Sequence, residues 1–312
     1  MDLLRIFMSE QSPSFVFLVK PTHFGFNPET ASSNSFQQQL EMEDHHQVMQ
    51  EFSQVLEILR RENIAYLVFD SVPEKITPDA VFPNNWICIQ PDETLVLFPM
   101  LTPNRRAERN MQVVEELRKK FEITTIIDLS PAEENNIALE GTGSIVFDHV
   151  HHKAYACISP RTNEKLVREL CHRIDYTPIV FEALGPKAEQ VYHTNVVMNI
   201  GSGYAFVCLD AISDPLEASM VRKHLEADQI QVIPISIQQM SAFCGNMLEV
   251  KNKAGEKCLL LSETALMHLE KNQLAALPAD IKCIAFPIPL IEKIGGGSLR
   301  CMLAGIHAKP RF

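Results

Sequence analysis

Four segments of the chain pass from small or polar residues into an apolar run, and they recur at nearly constant intervals. They begin at Asn84, Gly141, Thr194 and Gly245, so their starts lie 57, 53 and 51 residues apart. A second apolar run follows each one after a turn: TLVLFPM, KAYACIS, YAFVCLD and KCLLLS. Two short apolar runs around a turn predict a β-hairpin. Recurrence at a fixed spacing indicates a repeat architecture.

An amphipathic stretch follows each hairpin and predicts a helix. The helices are expected to start at Asn104, Thr162, Asp214 with Pro215, and Ser262. These residue types are typical of helix N-termini. A short strand is expected to close each unit, at 123–128, 178–181, 230–235 and 281–286. The predicted repeating unit is therefore ββαβ.

The two ends of the chain together supply a fifth unit. Residues 298–306 have the first-strand pattern, while 15–20, a helix over 36–61 and a strand over 64–69 provide the remainder. A ring that joins its last strand to its first segment removes open sheet edges, as propellers do. We expect a five-bladed, pseudo-symmetric α/β propeller in a single domain, 1–312, although length alone suggests about two domains.

In such a ring the first strand of every unit lies nearest the axis, so the starts of these strands meet at one mouth. Five places converge there: Asn84 with Asn85, 140–143, 193–195, 244–246, and Arg300 with Cys301. A cysteine, a histidine and a glutamate thus occupy equivalent points of different repeats. Those side chains are what nucleophilic catalysis requires.

Composition and charge narrow the classes of function. Hydrophobic residues make up 46% and charged residues 21%, which is ordinary globular composition. The net charge of −11 argues against binding nucleic acid or an anionic membrane surface. The chain shows no membrane span or secretory leader, so a cytoplasmic location is expected. Eight cysteines without a C-x-x-C pair are expected to be reduced, buried thiols.

Six motifs in this order resemble the guanidine-modifying enzymes of the pentein superfamily, which include arginine deiminases and dimethylarginine dimethylaminohydrolases. The motifs are FPNNW at 82–86, LEGTGS at 139–144, SPRTNEK at 159–165, YHTN at 192–195, CGNMLEV at 244–250 and GGGSLRCM at 295–302. Within that superfamily the chain most resembles the amidinotransferase-like subgroup described as citrulline-utilisation hydrolases. The resemblance spans most of the chain and implies a five-bladed α/β propeller.

The resemblance makes Cys301, His193 and Glu140 a Cys-His-Glu catalytic set. Cys301 follows a glycine-rich turn, and the adjacent Arg300 favours the reactive thiolate. His193 would serve as acid and base, and Glu140 would orient its imidazole. Without the resemblance, the three would read as a buried cysteine, a structural histidine and a turn-capping carboxylate. Cys244 is the rival nucleophile, because it also begins an inner strand.

Two groups of residues are expected to bind substrate. Arg161, and Arg105 or Arg106, resemble arginines that dimethylarginine hydrolases use on the substrate carboxylate, although Arg106 equally suits a solvated helix end.

Asn84, Asn85 and Asn195 stand where arginine-processing relatives place acidic residues. Asparagine amides can both donate and accept, so they match a neutral ureido group better than a guanidinium. This predicts a citrulline-like substrate, provided that no other carboxylate enters the ring.

The favoured interpretation is a hydrolase that cleaves a C–N bond of a guanidino or ureido amino acid through a covalent Cys301 adduct. The alternatives are amidino transfer to an amine through the same adduct, and a non-catalytic binding propeller. No cofactor is expected, because Gly141 and Gly143 lack the third glycine of a dinucleotide fingerprint. No metal is expected either, because His149, His151 and His152 fall in a predicted solvated turn. The helix over 36–61 fits either a homo-oligomer contact or a core-facing element.

Overall fold

The structure is a computed structural model that describes residues 10–40, 45–72 and 74–311. Its strands are β1 Phe15–Val19, β2 Ala65–Phe69, β3 Ile87–Ile89, β4 Thr94–Leu97, β5 Thr125–Asp128, β6 Ile145–Asp148, β7 Lys153–Cys157, β8 Thr177–Phe181, β9 Met198–Gly201, β10 Tyr204–Val207, β11 Gln231–Pro234, β12 Leu248–Lys251, β13 Lys257–Ser262, β14 Ile281–Phe286 and β15 Ala304–Ile306.

The helices within the same ranges are α1 Pro28–Ala31, α2 His45–Arg61, α3 Pro103–Arg106, α4 Met111–Lys120, α5 Gly141–Ser144, α6 Glu164–Ile174, α7 Thr194–Val197, α8 Pro215–Ala227, α9 Ile237–Ser241, α10 Glu263–His268, α11 Lys271–Ala275, α12 Pro289–Gly295 and α13 Leu299–Met302. Three short 3₁₀ turns cover Pro83–Asn85, Ser130–Asn135 and Leu209–Ala211.

The strands form five groups of three with one pairing pattern. In each group the first strand pairs antiparallel with the second, and the second pairs parallel with the third. Three groups are separate sheets, while β2-β1-β15 and β3-β4-β5 join into one six-stranded sheet through Ile306 and Ile89. The predicted hairpins, closing strands and shared terminal unit are confirmed. Hydrogen bonds do not join the four described sheets into a closed barrel.

The helices cover the sheets with one apolar face each. In α6, the buried side chains include Leu166, Val167, Leu170 and Ile174, which repeat at helical spacing and pack against strands β6 and β7. The Asn163 side chain accepts a hydrogen bond from the backbone N–H of Leu166 at 3.1 Å and so caps this helix. The capping residue is therefore Asn163 and not the predicted Thr162, and the helix itself begins at Glu164.

The predicted first strands begin three to six residues too early. Short helical turns stand there instead: 83–85, α5, α7 and α13 precede β3, β6, β9 and β15. In α5 the backbone N–H groups of Gly143 and Ser144 both donate to the carbonyl of Glu140, at 3.1 Å each. Small residues allow such local bonds to replace strand pairing. The residues of the expected mouth therefore lie on turns and not on strands.

Three helix predictions also change. The helix expected after Ser262 ends at His268, and α11 follows it as a separate helix. The single helix expected after Asn104 is divided into α3 and α4, because Asn110 accepts a hydrogen bond from Gln112 N–H at 2.9 Å and starts a new helix. The helix expected over 36–61 is seen from His45, while 41–44 lie outside the described residues. Residues 36–40 are not helical, since Gln38 N–H donates to the Lys293 carbonyl at 2.9 Å.

All eight cysteines are free, and seven of them are buried, as the sequence predicts. Among the described residues, no helix combines the length and apolar character that a membrane span requires.

Candidate active site

The turns before the inner strands carry the predicted catalytic residues to one small cavity. The wall of this catalytic cavity includes Cys301, His193, Asn85, Arg105 and Arg161. Cys301 lies in α13, His193 caps the start of α7, and Glu140 directly precedes α5. Residues far apart in the chain therefore meet because each lies in or next to the short turn before the first strand of its unit.

His193 and Glu140 form a buried hydrogen-bonded pair. The Nε2 atom of His193 lies 2.9 Å from Oε2 of Glu140, and the two residues are 2% and 0% exposed. Since a carboxylate accepts, Nε2 carries the proton in the neutral ring and Nδ1 keeps its lone pair. Burial lowers the pKa of His193 to about 4, although the hydrogen bond and the charge of Glu140 act to raise it. The imidazole is therefore a neutral base at neutral pH.

Glu140 is held as an anion in spite of its burial. Burial favours the neutral acid, but Arg161, the His193 hydrogen bond and Arg105 together keep the pKa of Glu140 well below its usual range. Its Oε2 atom lies 3.4 Å from Arg161 Nη1 and 3.7 Å from Arg105 Nη1. An ionised Glu140 would stabilise the imidazolium that forms whenever His193 takes a proton.

Two asparagine amides face the sulfur of Cys301. Asn246 Nδ2 lies 3.3 Å from Sγ, and Asn195 Nδ2 lies 3.5 Å from it. Cys301 itself is 3% exposed. An amide N–H stabilises a thiolate more than a thiol, because the hydrogen bond strengthens with negative charge on the acceptor. Sequence reasoning placed Asn246 near the mouth without giving it a role.

The glycine-rich turn before Cys301 has the close contacts that the sequence suggested. Gly296 has a φ of 63°, which favours glycine. A Cβ on Gly295 would lie 2.7 Å from the ring of Phe82. Tyr192 donates its hydroxyl to the Gly296 carbonyl at 2.6 Å. This turn fixes the approach of the chain to α13 and to Cys301.

The two predicted substrate arginines are both buried in the cavity wall, but their partners differ. Arg105 is held bidentately by Glu108, at 2.9 and 3.0 Å, and donates to Asn85 Oδ1 at 2.9 Å. Arg161 stacks on Tyr192, with its guanidinium carbon 5.1 Å from the ring centroid, and donates to Ser33 Oγ at 2.8 Å. Arg161 therefore meets mostly neutral partners, whereas the charge of Arg105 is already matched.

Arg106 lies elsewhere: it donates to the carbonyls of Met100 and Leu101, at 3.0 and 3.1 Å. These backbone contacts make it a structural residue and not the solvated helix end considered for it.

The three predicted asparagines take different positions. Asn85 lines the cavity, and its Nδ2 has no hydrogen-bond partner among the described residues. Asn195 contacts the sulfur of Cys301 and is not part of the cavity wall. Asn84 is fully buried outside the wall, and its carbonyl accepts from Thr142 Oγ1 at 3.2 Å. Only Asn85 is placed to meet a ligand in the cavity.

Asp79 is a cavity residue that sequence reasoning missed. Its Oδ2 accepts from Asn27 Nδ2 at 2.7 Å and lies 3.7 Å from Arg105 Nε, while its Oδ1 has no partner among the described residues. Burial raises the pKa of Asp79, although the charge of Arg105 acts to lower it. A carboxylate beside the apolar residues that precede FPNNW was the available signal. The condition that no other carboxylate enters the ring is therefore not met.

Cys244 is not part of this cavity wall. Its Sγ lies 3.4 Å from the Ala265 carbonyl, and burial raises its pKa to about 12. A thiol of that kind is a poor nucleophile at neutral pH.

The histidine turn lies between β6 and β7, as predicted, but it is not uniformly solvated. His149 is buried, 2.9 Å from the Tyr176 hydroxyl, so the expectation of a solvated residue is wrong there. Among the described residues, Asp148, His151 and Asp228 offer ligand atoms within 4.8 Å of one another. The Lys153 ammonium pairs with Asp228. A metal ion would have to displace that cation.

One protein-family model matches nearly the full length of the chain. The family model for eukaryotic N,N dimethylarginine dimethylhydrolases matches residues 20–308. No curated protein is significantly similar to the chain in sequence.

Several solved structures have the same fold. ArgZ, an arginine dihydrolase from the ornithine-ammonia cycle in Cyanobacteria, has a TM-score of 0.71 and 16% identity, over 93% of this chain and 40% of ArgZ. The substrate-bound N-terminal domain of ArgZ has a TM-score of 0.72 and 15% identity, over 94% of this chain and 97% of that domain. DDAH from Pseudomonas aeruginosa, as a cysteine-to-serine mutant complexed with citrulline, has a TM-score of 0.67 and 14% identity, over 95% of this chain and 100% of that one.

The chain thus spans about two-fifths of ArgZ and matches its N-terminal domain. At these identities the structures show a shared fold, which is the α/β pentein fold that the motifs predicted.

Proposed function

The chain belongs to the eukaryotic N,N dimethylarginine dimethylhydrolase family of the pentein superfamily, and from that premise we propose that it hydrolyses a C–N bond of an arginine- or citrulline-like amino acid through a covalent adduct on Cys301. The observation that carries the proposal is that Cys301 and the His193–Glu140 pair meet at one cavity with cationic and anionic walls. The five strand groups would form a five-bladed propeller in a single catalytic domain, 1–312.

The cavity wall suits both charged groups of an α-amino acid. Arg161 would take the substrate carboxylate, because its guanidinium is buried mainly against neutral oxygens of Ser33 and Thr30. Oδ1 of Asp79 would take the ammonium group. Arg105 donates a hydrogen bond to Oδ1 of Asn85. This bond would orient the Asn85 amide so that its N–H₂ group faces the reacting group.

The reaction would proceed in two steps with His193 as the proton carrier. His193 Nδ1 takes the proton of the Cys301 thiol, and the sulfur attacks the central carbon of the ureido or guanidino group. The C–N bond then breaks, and the imidazolium gives its proton to the departing nitrogen.

In the second step His193 takes a proton from water, whose oxygen attacks the adduct carbon. The C–S bond breaks, and the proton returns to the sulfur. Glu140 stabilises the imidazolium in both steps, and the amides of Asn195 and Asn246 stabilise the thiolate. Side chains and water supply every atom of this cycle, so the proposal needs no cofactor.

Asn85 favours a neutral ureido group at the reacting position. The amide can donate to the ureido oxygen, whereas a guanidinium has no acceptor to offer it. We therefore propose a citrulline-like substrate, with Asp79 engaged at the other end of the molecule. An arginine derivative is the second candidate, because the cavity does hold one carboxylate, Asp79, that could face a cation.

The test is a substrate comparison with product analysis. Purified protein would be incubated with citrulline, arginine, N-methylated arginine and agmatine, and ammonia, amines and amino acids would be measured. We expect turnover that Cys301→Ser abolishes and Cys244→Ser leaves largely intact, with the adduct detected by mass spectrometry at Cys301. Turnover of none of these compounds, or an adduct at another cysteine, would overturn the proposal. Product formation only after addition of an acceptor amine would identify amidino transfer instead.

A further inference from the structure

A second cavity, of about 60 Å³, lies further along the same inner strands. All five first strands, β3, β6, β9, β12 and β15, contribute to its wall, and Gln11 and Pro13 lie at it as well. Gln11 Nε2 donates to the carbonyls of Phe147 and Ile200, at 2.9 and 3.2 Å, and so ties this segment across two units. We call it the distal cavity. None of the steps proposed above uses it.

The wall of the distal cavity holds a cation without a matching anion. Arg300 donates from Nη1 to the Leu303 carbonyl at 3.0 Å, and within the described ranges it forms no salt bridge. His149 and His307 line the same space, with ring centroids 4.3 Å apart. The one carboxylate in the wall, Glu249, accepts hydrogen bonds from Ser12 and Ser202. Arg300 is half-buried, and a guanidinium partly removed from water is stabilised by a counter-charge.

The same wall also contains hydrogen-bond acceptors in need of a donor. Oε1 of Gln90 and Oδ1 of Asn195 are buried and have no partner among the described residues, and both residues line the distal cavity. A simple anion would satisfy Arg300 and leave these oxygens unpaired. A ligand that carries both a negative oxygen and an O–H group satisfies all of them.

We propose that the distal cavity binds a small oxyanion that retains a hydroxyl group, the chemistry shared by hydrogenphosphate and bicarbonate. Its negative oxygen would face Arg300 and His307, and its hydroxyl would face Gln90 or Asn195. Burial lowers the pKa of Arg300 to about 10 and, with the charge of Arg300 as the smaller cause, lowers that of His307 to about 3. Arg300 is therefore the charged partner of the anion, and His307 is neutral at pH 7. This site goes beyond the proposed hydrolysis.

An anion bound in the distal cavity should change the reactivity of Cys301. Arg300 directly precedes Cys301, and the Nδ2 atom of Asn195 lies 3.5 Å from the sulfur. An anion at Arg300 offsets the positive potential that favours the thiolate, so the sulfur becomes less reactive. The site would thus regulate Cys301 from the side opposite to substrate.

Calorimetric titration of the full chain tests the binding directly. Inorganic phosphate, bicarbonate and sulfate would be compared at constant ionic strength and neutral pH. We expect saturable binding of phosphate or bicarbonate at one site per chain, and at least about fivefold weaker binding of sulfate, which has no hydroxyl at this pH. Whichever of phosphate and bicarbonate binds more tightly is identified as the ligand. Saturation by neither, or equal binding of sulfate, would overturn the proposal.

Four variants locate the site. Arg300→Gln should weaken binding at least about tenfold, since it removes a charge-assisted hydrogen bond. Arg161→Gln, in the catalytic cavity, and Arg106→Gln, a matched arginine outside both cavities, should bind as wild type does. Loss of binding in Arg161→Gln with retention in Arg300→Gln would place the anion in the catalytic cavity and refute the inference. His307→Phe fills the distal cavity and should also abolish binding, which covers the case that Arg300→Gln does not fold.

Alkylation of Cys301 gives a second readout that requires no turnover. Saturating anion should slow iodoacetamide labelling of Cys301 severalfold in wild type and leave the rate in Arg300→Gln unchanged. An equal effect on both proteins would contradict the proposed coupling. Because neither measurement uses a substrate, failure here is distinguishable from failure of the proposed hydrolysis.

Discussion

The Nδ2 atom of Asn246 lies 3.3 Å from the Sγ atom of Cys301, although 55 residues separate them in the chain. The same amide nitrogen is 3.2 Å from the Asn195 carbonyl, which fixes its direction. Asn246 is fully buried, and its backbone N–H donates to the Phe243 carbonyl at 2.8 Å in the turn before β12. A polar side chain held this firmly against a sulfur is suited to stabilising negative charge on it.

The first prediction is that Asn246→Asp lowers the reactivity of Cys301. The substitution keeps the shape of the side chain but replaces an N–H donor with a carboxylate, which repels a thiolate. At pH 7 we expect iodoacetamide to alkylate Cys301 at least about tenfold more slowly than in wild type, since the lost hydrogen bond and the new repulsion act together. Labelling would be followed by mass spectrometry across a range of pH.

Asn163→Asp is the matched control, because aspartate caps α6 as well as asparagine does. It should label at the wild-type rate. If Asn246→Asp folds and also labels at that rate, the contact with the sulfur has no electrostatic effect.

Most of the repeat could be predicted because hydrophobic runs mark buried strands directly. The run KCLLLS coincides with β13, Lys257–Ser262. The helical turn α7 could not be predicted, since its TNVV sequence favours a strand. Thr194 Oγ1 accepts from Cys157 N–H at 2.6 Å and donates to the Ser144 carbonyl at 2.5 Å. Contacts with a neighbouring unit decide that turn, and such contacts are not readable from the local sequence.

The candidate site could be predicted as far as the repeat extends. Cys301, His193 and Glu140 occupy equivalent positions of different units, so the ring alone brings them together. Asp79 lies in the segment between β2 and β3, eight residues before the first strand of its unit, and the hydrophobic repeat does not mark it. The role of Asn246 depends on a distance to sulfur, and a sequence carries no such distance.

The second prediction concerns the protonation of His193. Because its pKa in the folded protein is about 4, the ring should stay neutral from pH 8 down to about pH 5 and take up a proton only below that. The neutral ring is the base, so loss of kcat/KM on the acid side due to His193 should occur near pH 4 and not near pH 6.5. Carbon-13 histidine NMR would follow the ring, with His193→Asn to assign its signal. A midpoint above pH 6 would show that the pairing with Glu140 outweighs burial and would contradict the prediction.

The third prediction separates the two buried arginines. If Arg161 binds the substrate carboxylate, Arg161→Lys should raise KM for citrulline or arginine about tenfold or more, since a bidentate partner is lost. The same change should leave KM for agmatine, which lacks the carboxylate, nearly unaltered. Steady-state kinetics on both substrates measure the difference, with Arg106→Lys as the control. An equal rise for agmatine would show that Arg161 acts only on the structure.

The fourth prediction uses the space around Gly143. A Cβ at this position would lie 2.4 Å from Asn85 Nδ2 and 2.7 Å from His193 Nδ1, so Gly143→Ala must displace one of them. Displacement of about 1 Å can cost about a hundredfold in rate, and we expect kcat to fall by that order. Gly203→Ala is the control, since a Cβ there meets nothing within 4 Å although its φ is +85°. It should lower the melting temperature slightly and leave kcat unchanged. Full activity of Gly143→Ala would remove Asn85 and His193 from the reaction as described.

The last prediction asks which end of the substrate each polar wall residue meets. Binding would be measured by calorimetry in a Cys301→Ala background, so that turnover does not intervene. Citrulline should bind more tightly than arginine if Asn85 faces the reacting group. Asn85→Asp keeps the acceptor for Arg105 and adds a negative charge beside that group, which should shift the preference toward arginine by about tenfold.

Asp79→Asn supplies the complementary measurement, because Asp79 is the carboxylate that the described residues place in the cavity wall. If Asp79 meets the ammonium group that both ligands share, the substitution weakens citrulline and arginine alike and leaves their ratio unchanged. If Asp79 faces the guanidinium instead, wild type prefers arginine, Asp79→Asn abolishes that preference and Asn85→Asp adds little to it. The ratio of the two dissociation constants in the three proteins therefore decides between a ureido and a guanidino substrate, independently of how fast either one reacts.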